Sequence, residues 1–293
     1  MSEARCIPGP AGGYRAPYED LYIYYLEGRV LEQALTGNPT YIGTWDEEGF
    51  SFVFFSAPAD KIIRELVHAQ SHLALIDHYQ MRYEEWQGGR LSAFRAGRFH
   101  IQPPWEIDHG GHPDGPRLVG EIDLVLDPGV VFGSGSHPTT QDCLAAMEQL
   151  YREAAIETVL DLGTGTGILA IAAAALGSRR VAAVDCNRLA VLTARQNIML
   201  NQVEDRVLAI QGRAEALVAG AADLIIANIH FDVMQHLLPG PGFQAKKHWI
   251  LSGLLRSQTR EVEALLADSG SRIVKRWTRD YIWHTYLGTN DKP

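Results

Sequence analysis

Four stretches of this chain carry residue types that can hold a small ligand and handle an amine. The first is Asp161-Leu-Gly-Thr-Gly-Thr-Gly167, between the apolar run Thr158–Leu162 and a second apolar run from Ile168 to Leu176. Gly163, Gly165 and Gly167 carry no Cβ, so a turn there can be tight and its backbone can come close to a ligand. A helix starting at Ile168 aims free N–H groups at the same spot. The second is Asp185, at the end of the run Arg180–Val184, where a carboxylate can accept from both hydroxyls of a ribose. The third is Asn228-Ile-His-Phe231. The Asn228 amide carbonyl can accept an amine N–H but is not basic enough to take its proton, whereas His230 has a suitable pKa. The alternative for His230 is that it only packs or hydrogen-bonds in a site wall. The fourth is Val131-Phe-Gly-Ser-Gly-Ser-His-Pro-Thr-Thr140, a Gly/Ser/Thr-rich loop immediately before the central strand.

Spacing selects among ligands. A dinucleotide fingerprint wants G-x-G-x-x-G, and Ile168 stands where its third glycine would be. The pattern D-x-G-x-G-x-G resembles instead the first motif of S-adenosylmethionine (SAM) dependent methyltransferases. Asp161 suits that cofactor, because a carboxylate can meet its ammonium directly or through water. It suits a diphosphate badly, since two anions would be brought together.

Stepping out from these residues, the chain must supply elements to hold them. The expected strands are Asp20–Leu26, Tyr41–Trp45 and Phe50–Phe55, with a hairpin turn at Asp46–Gly49. Apolar spacing predicts a helix over Ala59–Ile76, then a strand at His78–Glu84. Residues 1–86 therefore read as a small α+β domain behind a Gly/Pro-rich tail, residues 87–117 as a connector, and residues 118–293 as a second domain. In the connector, His100, His109 and His112 lie among Gly and Pro without Cys or carboxylate at suitable spacing, so no metal is expected. Thr139 followed by Asp142 resembles a capping box opening a helix over Thr140–Glu153. From Thr158 onward strands and helices alternate, and Arg272–Trp277 and Trp283–Leu287 read as an antiparallel edge pair. Such alternation implies an α/β fold with a mostly parallel sheet and helices on both faces. Ligands then bind beyond the carboxyl ends of the strands, where Gly163, Asp185 and Asn228 fall.

Composition narrows the setting. With 46% hydrophobic and 21% charged residues, the chain is ordinary for a globular protein, and its net charge of -9 speaks against a nucleic-acid binder but not against a basic protein substrate. No signal peptide or membrane span is read. Cys6, Cys143 and Cys186 are too scattered for a disulfide framework. A cytoplasmic monomer is expected.

Four motifs converge on one family. Phe132-Gly-Ser-Gly-Ser-His-Pro-Thr-Thr140, Leu160-Asp-Leu-Gly-Thr-Gly-Thr-Gly-Ile-Leu-Ala-Ile-Ala172, Ala227-Asn-Ile229 and Leu251-Ser-Gly-Leu254, with the stretch Phe94–Trp105, resemble the bacterial methyltransferases of large-subunit ribosomal protein eleven. The resemblance covers about residues 94–287 and implies a seven-stranded, mostly parallel Rossmann-like SAM-methyltransferase sheet with a smaller N-terminal α+β domain that docks the ribosomal protein. It implies methylation of lysine ε-amino and N-terminal α-amino groups. Thr140, Gly163, Asp185 and Asn228 match the family's cofactor contacts, and Thr139, Asp161 and Gly165 join them as candidates. His230 departs from the family, which usually has leucine there. Two other readings stand beside this one: a lysine methyltransferase of another protein, similar to the enzymes of the electron-transfer flavoprotein, and a non-catalytic SAM-binding ribosome-assembly module. The N-P-P-Y/F motif of nucleic-acid amino-methyltransferases shares the spacing of Asn228–Phe231, but its prolines are absent.

Overall fold

A computed structural model describes residues 16–107, 117, 119–131 and 133–290. His109, His112, Phe132, Cys6 and the tail to residue 15 lie outside the described residues.

The described residues form two compact units. One runs to Ser92 and takes in Asn187–Leu189. The other takes Ala93–Gln102 and most of the chain from residue 117 onward. In the first, strands β1 (Asp20–Glu27), β2 (Tyr41–Glu47) and β3 (Phe50–Phe55) are followed by helix α1 (Asp60–Ala69), strand β4 (Ala74–Arg82) and a single turn of helix α2 (Tyr83–Trp86). The sheet order is β2-β3-β1-β4, with antiparallel pairs throughout. Strand alternation sends Tyr24, Val53 and Phe55 to one face, where they meet Ile63 and Leu66 of α1. The Tyr24 hydroxyl accepts from the Ala59 N–H at 2.8 Å, satisfying one donor at the start of that helix.

Helix α1 is shorter than its apolar spacing predicts. Gln70 is extended (φ -121, ψ 92), and Leu75 and Ile76 belong to β4, where they are exposed. The helical apolar period continues past Gln70-Ser-His72 although the backbone has already left the helix there. The stretch read as a connector also holds structure, since β5 (Phe94–Ala96) and β6 (Phe99–Gln102) join β7 (Ile122–Val125) in a three-stranded sheet of the second unit. His100 sits in β6, its Nδ1 3.2 Å from Asp123 Oδ1.

The second unit continues with α3 (Pro138–Glu153), β8 (Thr158–Leu162), α4 (Ile168–Ala175), β9 (Arg180–Asp185), α5 (Arg188–Leu200), β10 (Val207–Gln211), α6 (Ala214–Leu217) and β11 (Leu224–Asn228). It ends with α7 (Phe231–Leu237), α8 (Pro241–Gln244), β12 (His248–Leu255), α9 (Thr259–Asp268), β13 (Arg272–Arg279) and β14 (Trp283–Thr289). Its seven strands run in the order β10-β9-β8-β11-β12-β14-β13, all parallel neighbours except that β14 is antiparallel to both β12 and β13. The fold is α/β with the mostly parallel sheet that the alternation predicts, and its seven strands are the number that the resemblance implies. Strand β12 runs on to Leu255, and α9 begins at Thr259.

Apolar residues fill both faces of this sheet. Val159, Ile226 and Ile250 pack with α3 and α4, while Leu160, Leu162, Ile225 and Leu251 pack with α7 and α9. Helix α4, Ile-Leu-Ala-Ile followed by alanines, is buried from Ile168 to Ala174, as expected of a helix lying inside the layers. The chain leaves β8 toward β9 on one side of the sheet, while β11 flanks β8 on the other. The carboxyl end of β8 is therefore the switch point at which a crevice opens.

Candidate active site

Three strand ends converge at that crevice. β8 delivers Asp161 and the glycine turn, β9 delivers Asp185, and β11 delivers Asn228.

Asp161 lies on the same face of β8 as Val159, toward α4, and is fully buried. Its Oδ2 accepts from Thr164 Oγ1 at 2.6 Å. Burial, and then the neighbouring Asp185 carboxylate, push its pKa up to about 7 against the pull of the hydrogen bonds from Thr164 and the Ala170 backbone. The carboxyl thus braces the turn from within and faces the first turn of α4, where the helix dipole favours negative charge. Asp185 Oδ2 accepts from the Gly165 N–H at 3.0 Å, tying the end of β9 to the middle of the turn.

The turn needs glycine at Gly163 for two separate reasons. Its φ of +70 is left-handed, and an added Cβ would lie 2.2 Å from Ile229 Cγ2. The glycine turn is therefore in direct contact with the residue following Asn228. From the other side, Thr166 Oγ1 donates to the Gly133 carbonyl at 2.7 Å, and a Cβ on Gly135 would meet Ile168 Cδ1 at 2.6 Å. The Gly133–Ser136 segment is laid over the glycine turn. Asn197 holds the turn from behind, donating to the carbonyls of Thr166 and Asp127 at 2.8 and 2.9 Å. No spacing in the sequence marks Asn197, because its partners lie far away along the chain.

The capping box expected at Thr139 does not form. The N-cap of α3 is His137, whose Nδ1 accepts from the Thr139 N–H at 3.3 Å, with Pro138 at the first helical position. Asp142, fully buried, instead pairs through Oδ1 with Arg279 of β13 at 2.8 Å. Thr139 and Thr140 thus fall inside the first turn of α3, both buried. The signal missed was the His-Pro pair, since proline at the first helical position puts the cap on the residue before it.

Asn228 is paired in register with Ser252 on β12, and its Nδ2 lies 3.4 Å from Thr139 Oγ1. Gly253 (φ +81) packs so closely that a Cβ there would come within 3.1 Å of Asn228 Oδ1. Ser252 and Thr285, both fully buried, share a 2.6 Å hydrogen bond, and the Ser252 hydroxyl reaches the Thr139 carbonyl at 3.3 Å. His230 is the N-cap residue of α7 and is exposed. Its backbone carbonyl accepts from Val233 and Met234, and its ring takes no part in the cap. Thr139, Asn228, Ser252 and Gly253 are brought together, and the His230 ring makes no hydrogen bond with them.

The acceptor set suits a cationic ligand. Two carboxylates converge on the glycine turn, and Asp161 holds its proton more tightly chiefly because it is buried and further because Asp185 is near. A diphosphate would raise that cost and a sulfonium or ammonium would lower it.

Comparison with known proteins agrees. The family model described as ribosomal protein L11 methyltransferase (PrmA) matches residues 55–290. The chain belongs to this family. The ribosomal protein L11 methyltransferase of Desulfitobacterium hafniense is 38% identical over 199 residues, which is 66% of this chain and 61% of that protein. That of Lacticaseibacillus paracasei is 39% identical over 185 residues, 62% of this chain and 56% of that protein. The matched part thus spans about three fifths of the length of these curated relatives. Among solved structures, the ribosomal protein L11 methylase from Lactobacillus delbrueckii subsp. bulgaricus aligns with a TM-score of 0.56 at 28% identity, covering 68% of this chain and 98% of that one. Among the described residues no helix is long and apolar enough to cross a membrane.

Proposed function

We propose that this chain is a SAM-dependent protein N-methyltransferase whose substrate is ribosomal protein L11 of the large subunit, modified on lysine ε-amino and N-terminal α-amino groups. The observation that carries the reading is the meeting of the glycine turn with the Asn228 corner through the Gly163–Ile229 contact, in a chain of this family.

SAM supplies an electrophilic methyl group on a sulfonium. Gly163 and Gly165 would lie against it, Asp185 would hold its ribose, Asp161 would offset its positive charge through the braced turn, and Thr139, Thr140 and Asn228 would close the site. The chain then has two tasks toward the amine. It must align the lone pair, an effect worth up to about 7–11 kcal/mol in well-oriented systems. It must also receive the amine in its neutral form, which desolvation in the crevice favours. The Asn228 carbonyl accepts one amine N–H and so points the lone pair away from itself, toward the methyl. The amine proton leaves to water. His230, exposed at the start of α7, is the sequence's candidate for assisting its departure. The net charge of -9 suits a basic protein partner.

The test is incubation with isotope-labelled SAM and each of several purified large-subunit proteins, followed by mass analysis. Label on L11 lysines and its α-amine is expected. Label confined to another protein would replace the substrate. SAM binding with no transfer to any protein would make the chain a non-catalytic module.

A further inference from the structure

Three side chains beside the reaction corner form a directed series of hydrogen bonds from α3 to β11. His137 Nδ1 accepts the Thr139 backbone N–H at 3.3 Å, so that nitrogen carries a lone pair rather than a proton. Thr139 Oγ1 lies 2.7 Å from the same Nδ1, and its one proton therefore points there. With that proton committed, Oγ1 can only accept from Asn228, and what it meets at 3.4 Å is the Nδ2 end of the amide. The surroundings make the series rigid. Trp283 packs edge-on against the His137 ring with centroids 5.1 Å apart, and the buried Ser252 hydroxyl holds the Thr139 carbonyl.

The direction matters because the two ends of an amide do opposite things to an amine. A carbonyl oxygen accepts the amine's N–H and leaves its lone pair free to attack. An NH2 group turned the other way would donate to that lone pair and occupy it. We propose that His137 is a positioning residue for methyl transfer, acting through the Thr139 hydroxyl to hold the Asn228 amide with its oxygen available to the substrate amine. This rests on the reading of Asn228 given above. His137 touches neither cofactor nor amine in this scheme, and its effect is on turnover rather than on cofactor affinity.

The experiment compares Thr139→Val, Thr139→Ser, His137→Ala and His137→Asn, each in the parent and in Asn228→Ala, by kcat with L11 and by S-adenosylhomocysteine calorimetry. The Asn228 side-chain amide signal, identified by its loss in Asn228→Ala, is followed in nitrogen-15 spectra. Thr139→Val, which keeps the shape and removes the hydroxyl, and His137→Ala should each lower kcat about 5–10-fold, the scale of one lost hydrogen bond, and His137→Ala should do so with S-adenosylhomocysteine affinity unchanged. Both should move the amide signal. Thr139→Ser and His137→Asn, which retain a donor and an N-cap acceptor, should restore most of the rate. In Asn228→Ala the same changes should cost nothing further. Full turnover by Thr139→Val, an unmoved amide signal, equal losses in both backgrounds, or a loss confined to binding would each overturn the role of His137. If Asn228→Ala itself turns over at the parent rate, the underlying reading of Asn228 falls instead.

Discussion

The glycine turn and the Asn228 corner touch through Gly163 and Ile229, yet they are built in opposite ways. The turn is local: Asp161, Thr164 and Gly165 lie within a few residues of one another, and only Asp185 arrives from the next strand. The corner is assembled from α3, β11, β12 and β14, whose contributing residues Thr139, Asn228, Ser252 and Thr285 are spread over half the chain. A local device grips a cofactor by backbone geometry, and a small change in it alters binding. An assembled device aims one functional group, and a small change in it alters turnover. The two regions should therefore separate in experiment.

The sharpest separation is expected from Asn228→Ala. Transfer should fall by about 10²-fold or more, as when one oriented polar contact to the reacting centre is removed. Calorimetry should show S-adenosylhomocysteine affinity reduced far less than transfer, and an equal loss of both would erase the distinction between the regions. Next is Gly163→Ala, which places a side chain at φ +70 and 2.2 Å from Ile229 Cγ2. Chemical denaturation should show a loss of about 2–4 kcal/mol, combining the left-handed backbone cost with overpacking. Adding Ile229→Ala should recover the packing part, and strict additivity of the two changes would count against the contact. Asp185→Ala frees the Gly165 N–H and removes the ribose acceptor, so S-adenosylhomocysteine should bind about 10–100-fold more weakly, the scale of hydrogen bonds to a charged group.

Asp161 offers a pH test of the turn alone. Its folded pKa is raised to about 7 by burial, above the ~4 of an unfolded aspartate. The folded state then holds the proton more tightly, so the favourable contribution is complete below pH ~4 and is lost as pH rises toward 7. Urea unfolding of Asp161→Asn should show a pH slope between 4 and 7 that is flatter by roughly 2–4 kcal/mol over the window. An identical slope in both proteins would remove Asp161 as its source. The smallest effect is expected from His230→Ala, with kcat reduced no more than about threefold because the ring is exposed and outside the corner. A loss approaching 10²-fold would make His230 the base.

Legibility followed the same division. The turn could be read in advance because glycines, an aspartate and an apolar strand at fixed spacing describe their own backbone, and the order of sheet elements follows from alternation. The end of α1 could not be read, because apolar spacing continues through Leu75 and Ile76 although the backbone has already become extended at Gln70. Nor could the cap of α3. Thr139 and Asp142 have capping spacing, but His137 takes the cap and the Asp142 carboxylate is drawn to Arg279, a residue that only the β13–β14 pairing brings near.

Sequence by itself determined the α/β alternation, the glycine turn and the residue types able to meet a cationic cofactor and an amine, because each is set by neighbours along the chain. Tertiary structure decided which way the Asn228 amide points, that Asp161 faces inward to α4, and that Gly163 must stay bare for Ile229. Those outcomes depend on atoms from separate strands arriving within about 3 Å of one another, and no periodicity along the chain encodes that distance.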